Sequence, residues 1–101
     1  MKITCTATSS GTELVLDGDL TIYTVAQAKE DIFLEGENLI SPIKLDLSHV
    51  NELDTAGIQL LLFVQKYLNG ENKELQLVKS NDQVDGVMSV LDVANSFSVE
   101  N

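Results

Sequence analysis

The feature that most constrains the fold is a change of hydrophobic period within residues 43–62. Ile43, Leu45 and Leu47 alternate with Lys44, Asp46 and Ser48, a period of two that marks a strand. Ile58, Leu61 and Leu62 recur at helical spacing. Between them lies Leu53-Asp54-Thr55-Ala56-Gly57, so the stretch reads as strand, short loop and helix start. Asp and Thr are both good N-cap residues, and Ala56 and Gly57 leave the approach to Thr55 uncrowded. Two readings of Thr55 stand side by side. Asp54 or Thr55 is an N-cap and nothing more, or the Thr55 hydroxyl is a regulatory phosphate acceptor. A helix N-terminus carries free N–H groups and partial positive charge, which favour a phosphate. Phosphorylation adds about −1.5 to −2 charge. Beside Asp54 and Glu52 that charge would repel a docked partner, and the kinase would supply the base.

The rest of the chain supplies partners for this unit. Lys2 to Thr8 alternates as a half-buried strand, Ser9 to Thr12 is a turn cluster, and Glu13 to Leu16 is a second strand ended by Gly18-Asp19. The short connection predicts a hairpin. Thr24 with Gln27 fits a capping box at the start of a helix whose stripe is Val25, Ala28 and Ile32, fading by Glu37 or Asn38. Ser41-Pro42 is a turn before the strand Ile43 to Leu47. The following helix runs from about Thr55 to Leu68 and stops at Asn69-Gly70. A fourth strand covers Leu75 to Lys79. Ser80 with Gln83 offers a second capping box, opening a helix with Val84, Val87, Met88 and Leu91 on one face. Val93 to Phe97 is expected to fold back as a short helix or turn.

Parallel sheets buried on both faces have strands that read as continuous apolar runs. These strands alternate instead, which predicts helices mainly on one face and a partly exposed sheet on the other. The hairpin gives an antiparallel pair, and the strand–helix–strand units add parallel strands through crossovers. The expected fold class is α/β, a small mixed four-stranded sheet with three to four helices, over residues 1–101 as one domain.

Composition narrows the function. The formal charge is −10, with six scattered lysines and no arginine. This argues against nucleic acid and anionic lipid, which need clustered cations. An acidic surface serves solubility or basic protein partners. The longest unbroken apolar run, Leu60 to Val64, is far short of a membrane span, and Met1 to Thr6 lacks a secretory apolar stretch. Cys5, the only cysteine, allows no internal disulfide and reads as a small core residue. A cytoplasmic protein without membrane insertion is expected. His49, the only histidine, reads as a loop residue. Asp46, Glu52 and Asp54 read as a solvated cluster rather than a magnesium site. No Gly-rich phosphate cradle or nucleophile–base pair is visible, so no catalytic residue and no cofactor is expected.

Three segments spanning nearly the whole chain resemble STAS domains, the family of anti-sigma factor antagonists. They are Leu14-Val15-Leu16-Asp17-Gly18-Asp19-Leu20-Thr21, then Leu45 to Ser48 leading to Leu53 to Gly57, and the Leu75 to Val78 strand with its following helix. The resemblance implies a non-catalytic switch. In such antagonists the residue after the motif aspartate is phosphorylated by a partner that is both a serine kinase and an anti-sigma factor, and a phosphatase resets the cycle. Carried over, Thr55 is the phosphorylated residue, and Asp19, Thr21, Asp54, Ala56 and Gly57 are its partner-binding surroundings. Two positions depart from the pattern. Thr55 stands where sporulation-type antagonists have serine, and Thr21 stands where the family has a second carboxylate. The Asp-Thr-Ala-Gly motif also resembles STAS proteins of chemotaxis gene clusters. It resembles as well the small STAS subunit that braces the ATPase of a phospholipid ABC transporter, where the threonine contacts the ATPase.

Overall fold

Strands β1 (Lys2–Thr8) and β2 (Gly11–Leu20) form an antiparallel hairpin in the computed structural model, which describes residues 1–90 and the backbone of 98–99. The β2 strand is longer at both ends than its alternation indicated. Gly11 opens it with φ +135°, and a Cβ there would lie 2.2 Å from the Pro42 carbonyl oxygen, which Thr12 N–H uses as its acceptor. A side chain at this position is therefore excluded twice, by conformation and by space.

Helix α1 (Val25–Leu34) follows, then a single 3-10 turn (Gly36–Asn38) and β3 (Ile43–Leu53). β3 lies parallel to β2, with Leu14 opposite Leu45 and Leu20 opposite Leu53. It runs six residues beyond Leu47, because two register shifts against β2 re-aim the strand and bring Val50 and Leu53 back into the core. His49 consequently sits exposed within a strand, not in a loop. Helix α2 (Thr55–Gly70) returns the chain to β4 (Leu75–Lys79), parallel to β3. Helix α3 (Asp82–Val90) precedes β5 (Ser98–Val99), which adds two parallel residues beside β4. The sheet order is β1-β2-β3-β4-β5, so the expected four-stranded mixed sheet is present with a short fifth strand. Leu91 and the segment 93–97 lie outside the described residues.

One apolar cluster holds the layers together. Leu14, Leu16, Leu45, Leu47 and Leu75 of the sheet meet Ala28 and Ile32 of α1, Ile58, Leu61, Val64 and Leu68 of α2, and Val84 and Met88 of α3. The α2 residues recur at intervals of three and four, as one buried helix face requires. That helix ends at Gly70, within the expected Asn69-Gly70 stop and two residues past Leu68. Asn72 takes the left-handed conformation (φ 61°) while its N–H bonds Asn69 O and Lys73 N–H bonds Leu68 O. This is the glycine-type C-terminal cap, made here by asparagine. Neither capping box forms. Thr24 does start α1, but its hydroxyl turns back into the preceding loop and Gln27 bonds Asp31. At α3 the capping side chain is Asn81, while Ser80 bonds Asp85.

Asp46 departs from its strand pattern. It was expected on the wet face, yet it is 5 % exposed. Its Oδ1 accepts from Ser48 N–H (2.8 Å) and Ser48 Oγ (2.6 Å). Burial alone would push this carboxyl up. The two bonds from Ser48, with the charges of Lys79 and His49, outweigh burial and hold it below the ordinary carboxylate value.

Candidate functional site

The carboxyl ends of β2 and β3 stop side by side at Leu20 and Leu53, and the end of β2, the two loops and the first turn of α2 together carry every residue singled out around Thr55. In open α/β sheets, such strand ends with adjacent helix N-termini are where ligands and partners meet the fold. Here the two loops are tied by one side chain. Asp54 caps α2, its Oδ1 accepting from Gly57 N–H at 3.0 Å, while its Oδ2 accepts from Ile22 N–H of the β2–α1 loop at 2.9 Å. Asp54, not Thr55, is therefore the N-cap.

These bonds also set the charge of Asp54. The Ile22 N–H and then the Gly57 N–H favour the ionised form, so the carboxyl lies below its ordinary value. A carboxyl whose folded value is lowered contributes stability that is fully present above the unfolded value, about 3.9. That contribution is lost as pH falls through the folded value. The stability gap between wild type and Asp54→Asn in urea unfolding is accordingly expected to hold constant through neutral pH and close below about pH 4. A gap unchanged at low pH would show that the carboxylate charge contributes nothing.

The β2–α1 loop satisfies itself. Thr24 Oγ1 accepts from Thr21 N–H (2.9 Å) and donates to Asp19 O (2.8 Å), and Thr21 Oγ1 accepts from Tyr23 N–H. Tyr23 and Ile22 are left in water, 94 % and 62 % exposed. Gly57 lies beneath. An added Cβ would fall 2.2 Å from Leu20 O and 2.8 Å from Leu53 Cδ1, so glycine lets the first turn of α2 lie directly on the end of β2.

Thr55 is exposed, and its hydroxyl makes no hydrogen bond among the described residues. It lines a shallow groove between the start of α2 and the face of α3 that carries Asp82, Gln83, Val87 and Val90. Asp19, Thr21 and Asp54 line an adjoining groove with Tyr23, Glu52 and Gln83. Ala56 faces away from both, toward α1. The expected residues thus gather at one end of the sheet on three neighbouring surfaces, with Gly57 as buried support. Asp46 is engaged with Ser48 and Asp54 with the two loops. Among the described residues, no three His, Cys, Asp or Glu side chains converge as a metal site requires.

Three contributors were missed from sequence. Asn81 caps α3 through Val84 N–H, and its Nδ2 donates to Ser48 O and Val50 O, fixing α3 beside β3. Gln83 lines both grooves, and Tyr23 stands at the rim of one. Only the pair Ile22-Tyr23, apolar residues in a turn, gave a readable signal.

Residues 3–99 match the family model described as "Mlab, STAS domain". The chain belongs to the STAS family. This STAS domain is similar in fold to the anti-sigma factor antagonist SpoIIAA in its unphosphorylated form. The TM-score is 0.74 at 16% identity, covering 99% of this chain and 89% of that one. It is similar as well to a putative anti-sigma factor antagonist of Thermotoga maritima, with a TM-score of 0.77 at 19% identity over 98% of this chain and 86% of that one. The phosphorylated form of SpoIIAA, a Bacillus cell fate determinant, gives 0.67 at 15% identity over 99% and 92% of the two chains. No curated protein sequence matches. The STAS family is non-catalytic, in line with the binding module expected from the sequence. No helix among the described residues is long and apolar enough to cross a membrane.

Proposed function

We propose that this STAS domain is a regulatory protein of the anti-sigma antagonist type, binding a partner serine kinase/anti-sigma factor through the start of α2 and switched by phosphorylation of Thr55. The observation that supports this most is the state of Thr55, an exposed hydroxyl with no partner of its own, at a helix N-terminus beside Asp54 and Asp82. The kinase transfers the γ-phosphoryl group of ATP to Thr55 Oγ1, ADP leaves, and a base of the kinase takes the hydroxyl proton. The product carries about −1.5 to −2 charge in a groove that is already acidic. A partner seated there is repelled, and a phosphatase restores the acceptor.

The test is affinity capture from lysate of the native organism, with Thr55→Glu and wild type as baits and mass spectrometry of both the prey and the native protein. Wild type is expected to recover a serine-kinase-type ATPase, with Thr55→Glu retaining roughly a tenth or less. The native protein is expected to carry phosphate on Thr55. The domain itself stays folded, because an acidic side chain at a helix N-terminus is favourable by about 0.3–1 kcal/mol. Equal recovery of the kinase by both baits overturns the switch.

The Asp54-Thr55-Ala56-Gly57 motif and the family model favour one second reading, a STAS subunit bracing the ATPase of a phospholipid ABC transporter. Thr55 is then a contact residue, and an ABC ATPase is recovered by both baits.

A further inference from the structure

We propose that the trough between α1 and α2 docks an acidic amphipathic helix of a partner protein. The trough is distinct from the Thr55 groove, which opens on the other side of the α2 N-terminus. Val25 and Lys29 line it from α1, and Ala56, Leu62, Phe63 and Lys66 line it from α2. No carboxylate lines it, in a chain with sixteen acidic residues and six lysines. Two of those six lysines flank this one surface.

Their charges are not neutralised along their own helices. Lys29 has Val25, Ala26, Ile32 and Phe33 three and four positions away, and Lys66 has Leu62, Phe63, Asn69 and Gly70. Lys29 Nζ rests 4.6 Å from the centroid of the Phe63 ring, which leaves the outer side of its ammonium free for a carboxylate. Lys66 has no hydrogen-bond or ion-pair partner among the described residues. The apolar floor is held in place. Phe33 packs edge-to-face on Phe63 at 5.9 Å and on Tyr67 at 4.7 Å, yet Phe63 remains 48 % exposed. A rigid apolar strip flanked by unneutralised cations complements a ligand with an apolar stripe and flanking carboxylates.

Shape decides for a helix over a small amphiphile. The trough holds about 500 Å³ but is largely open to solvent. Small-molecule sites bury most of their ligand, and this one would leave a large part in water. A helix laid between two helices covers the strip with residues at i, i+3, i+4 and i+7. Glu or Asp beside that stripe reaches Lys29 and Lys66.

The test is a display selection from a library of amphipathic helices with randomised residues beside a fixed leucine stripe, followed by titration and amide-shift mapping. Selected helices are expected to be enriched in Asp and Glu and to perturb Val25, Leu62 and Phe63. They should bind Lys29→Glu/Lys66→Glu roughly tenfold or more weakly than wild type. Phe63→Ala is expected to weaken them as well, with amide shifts outside α1 and α2 unchanged in both variants as the check on folding. Failure to enrich any helix overturns the proposal. So does enrichment without acidic bias, a footprint elsewhere, or affinity unchanged by the charge reversal. Decanoate binding in the trough without helix enrichment also overturns it, and assigns the site to a small amphiphile.

Discussion

Gly57→Ala is expected to destabilise this protein by about 2 kcal/mol, although alanine is the better helix former. The propensity gain in a helix is about 1 kcal/mol and favours the variant. Against it stands the 2.2 Å approach of the new methyl group to Leu20 O, with Leu53 Cδ1 at 2.8 Å on the same side. The Leu53 methyl can turn away. Leu20 O is main chain in a strand paired to β3 and lies 3.4 Å from Asp54 N, so helix and strand must separate. Overpacking costs about 1–3 kcal/mol, and a backbone obstacle places this case at the upper end. The contrast is Gly70→Ala at the other end of the same helix, where nothing lies within 4 Å of the added carbon. That change is expected to be neutral or to stabilise by up to about 1 kcal/mol. Urea midpoints of the two variants check the pair. A Gly57→Ala protein as stable as wild type would mean that the contact between α2 and the end of β2 is soft.

Asn81→Ala is expected to cost about 2–4 kcal/mol. Losing an N-cap alone costs about 0.5–2 kcal/mol. Asn81 does more, since its amide also donates to Ser48 O (3.0 Å) and Val50 O (2.9 Å). Each partly buried carbonyl left without its donor adds about 1 kcal/mol or more. Asn81→Asp separates the two roles. A carboxylate still accepts from Val84 N–H, but it meets two carbonyl oxygens where the amide had donated. That variant is expected to be destabilised at neutral pH and to recover when the carboxyl is protonated, because the acid form can donate again. A loss in Asn81→Ala no larger than a simple cap would show that the bonds to β3 contribute little. Because α3 forms one wall of the Thr55 groove, loss of the clamp is also expected to raise amide exchange across Asp82 to Val90.

The sequence made the layered architecture legible through periodicity. Ile43, Leu45 and Leu47 marked a strand, and Ile58, Leu61, Val64 and Leu68 marked a helix face, because burial of one side leaves that trace in any chain. It was poorer wherever a polar side chain chooses between several backbone partners. Thr24 starts its helix as the pattern predicts, but its hydroxyl donates to the Asp19 carbonyl at the end of β2 and does not bond a helix N–H. The sequence pattern points to Ser80 and not to Asn81, since the carbonyls that Asn81 reaches lie 33 and 31 residues away in sequence. The length of β3 was hidden by its bulges, which break the alternation that announces a strand and turn Val50 and Leu53 inward out of phase. Asp46 escapes for a related reason, as the bulge between Asp46 and His49 accompanies the Ser48 N–H bond to its carboxylate. Around Thr55, the turn chemistry was readable in Asp54 and Gly57. The contribution of α3 to the groove was not, because it depends on where a separate helix is pinned.

The two oxygens of Asp54, one on each loop, bear on the entropy of recognition. A surface built from loops ordinarily loses conformational freedom when a partner settles on it, and each immobilised side chain subtracts about 0.5–1.5 kcal/mol from the affinity. Here Ile22 N–H and Gly57 N–H, 35 positions apart in the chain, are held by a single carboxylate. Tyr23 and Thr55 are thereby registered to one another before anything arrives. The ordering is done at folding, so the free energy of each contact on this face can go into binding.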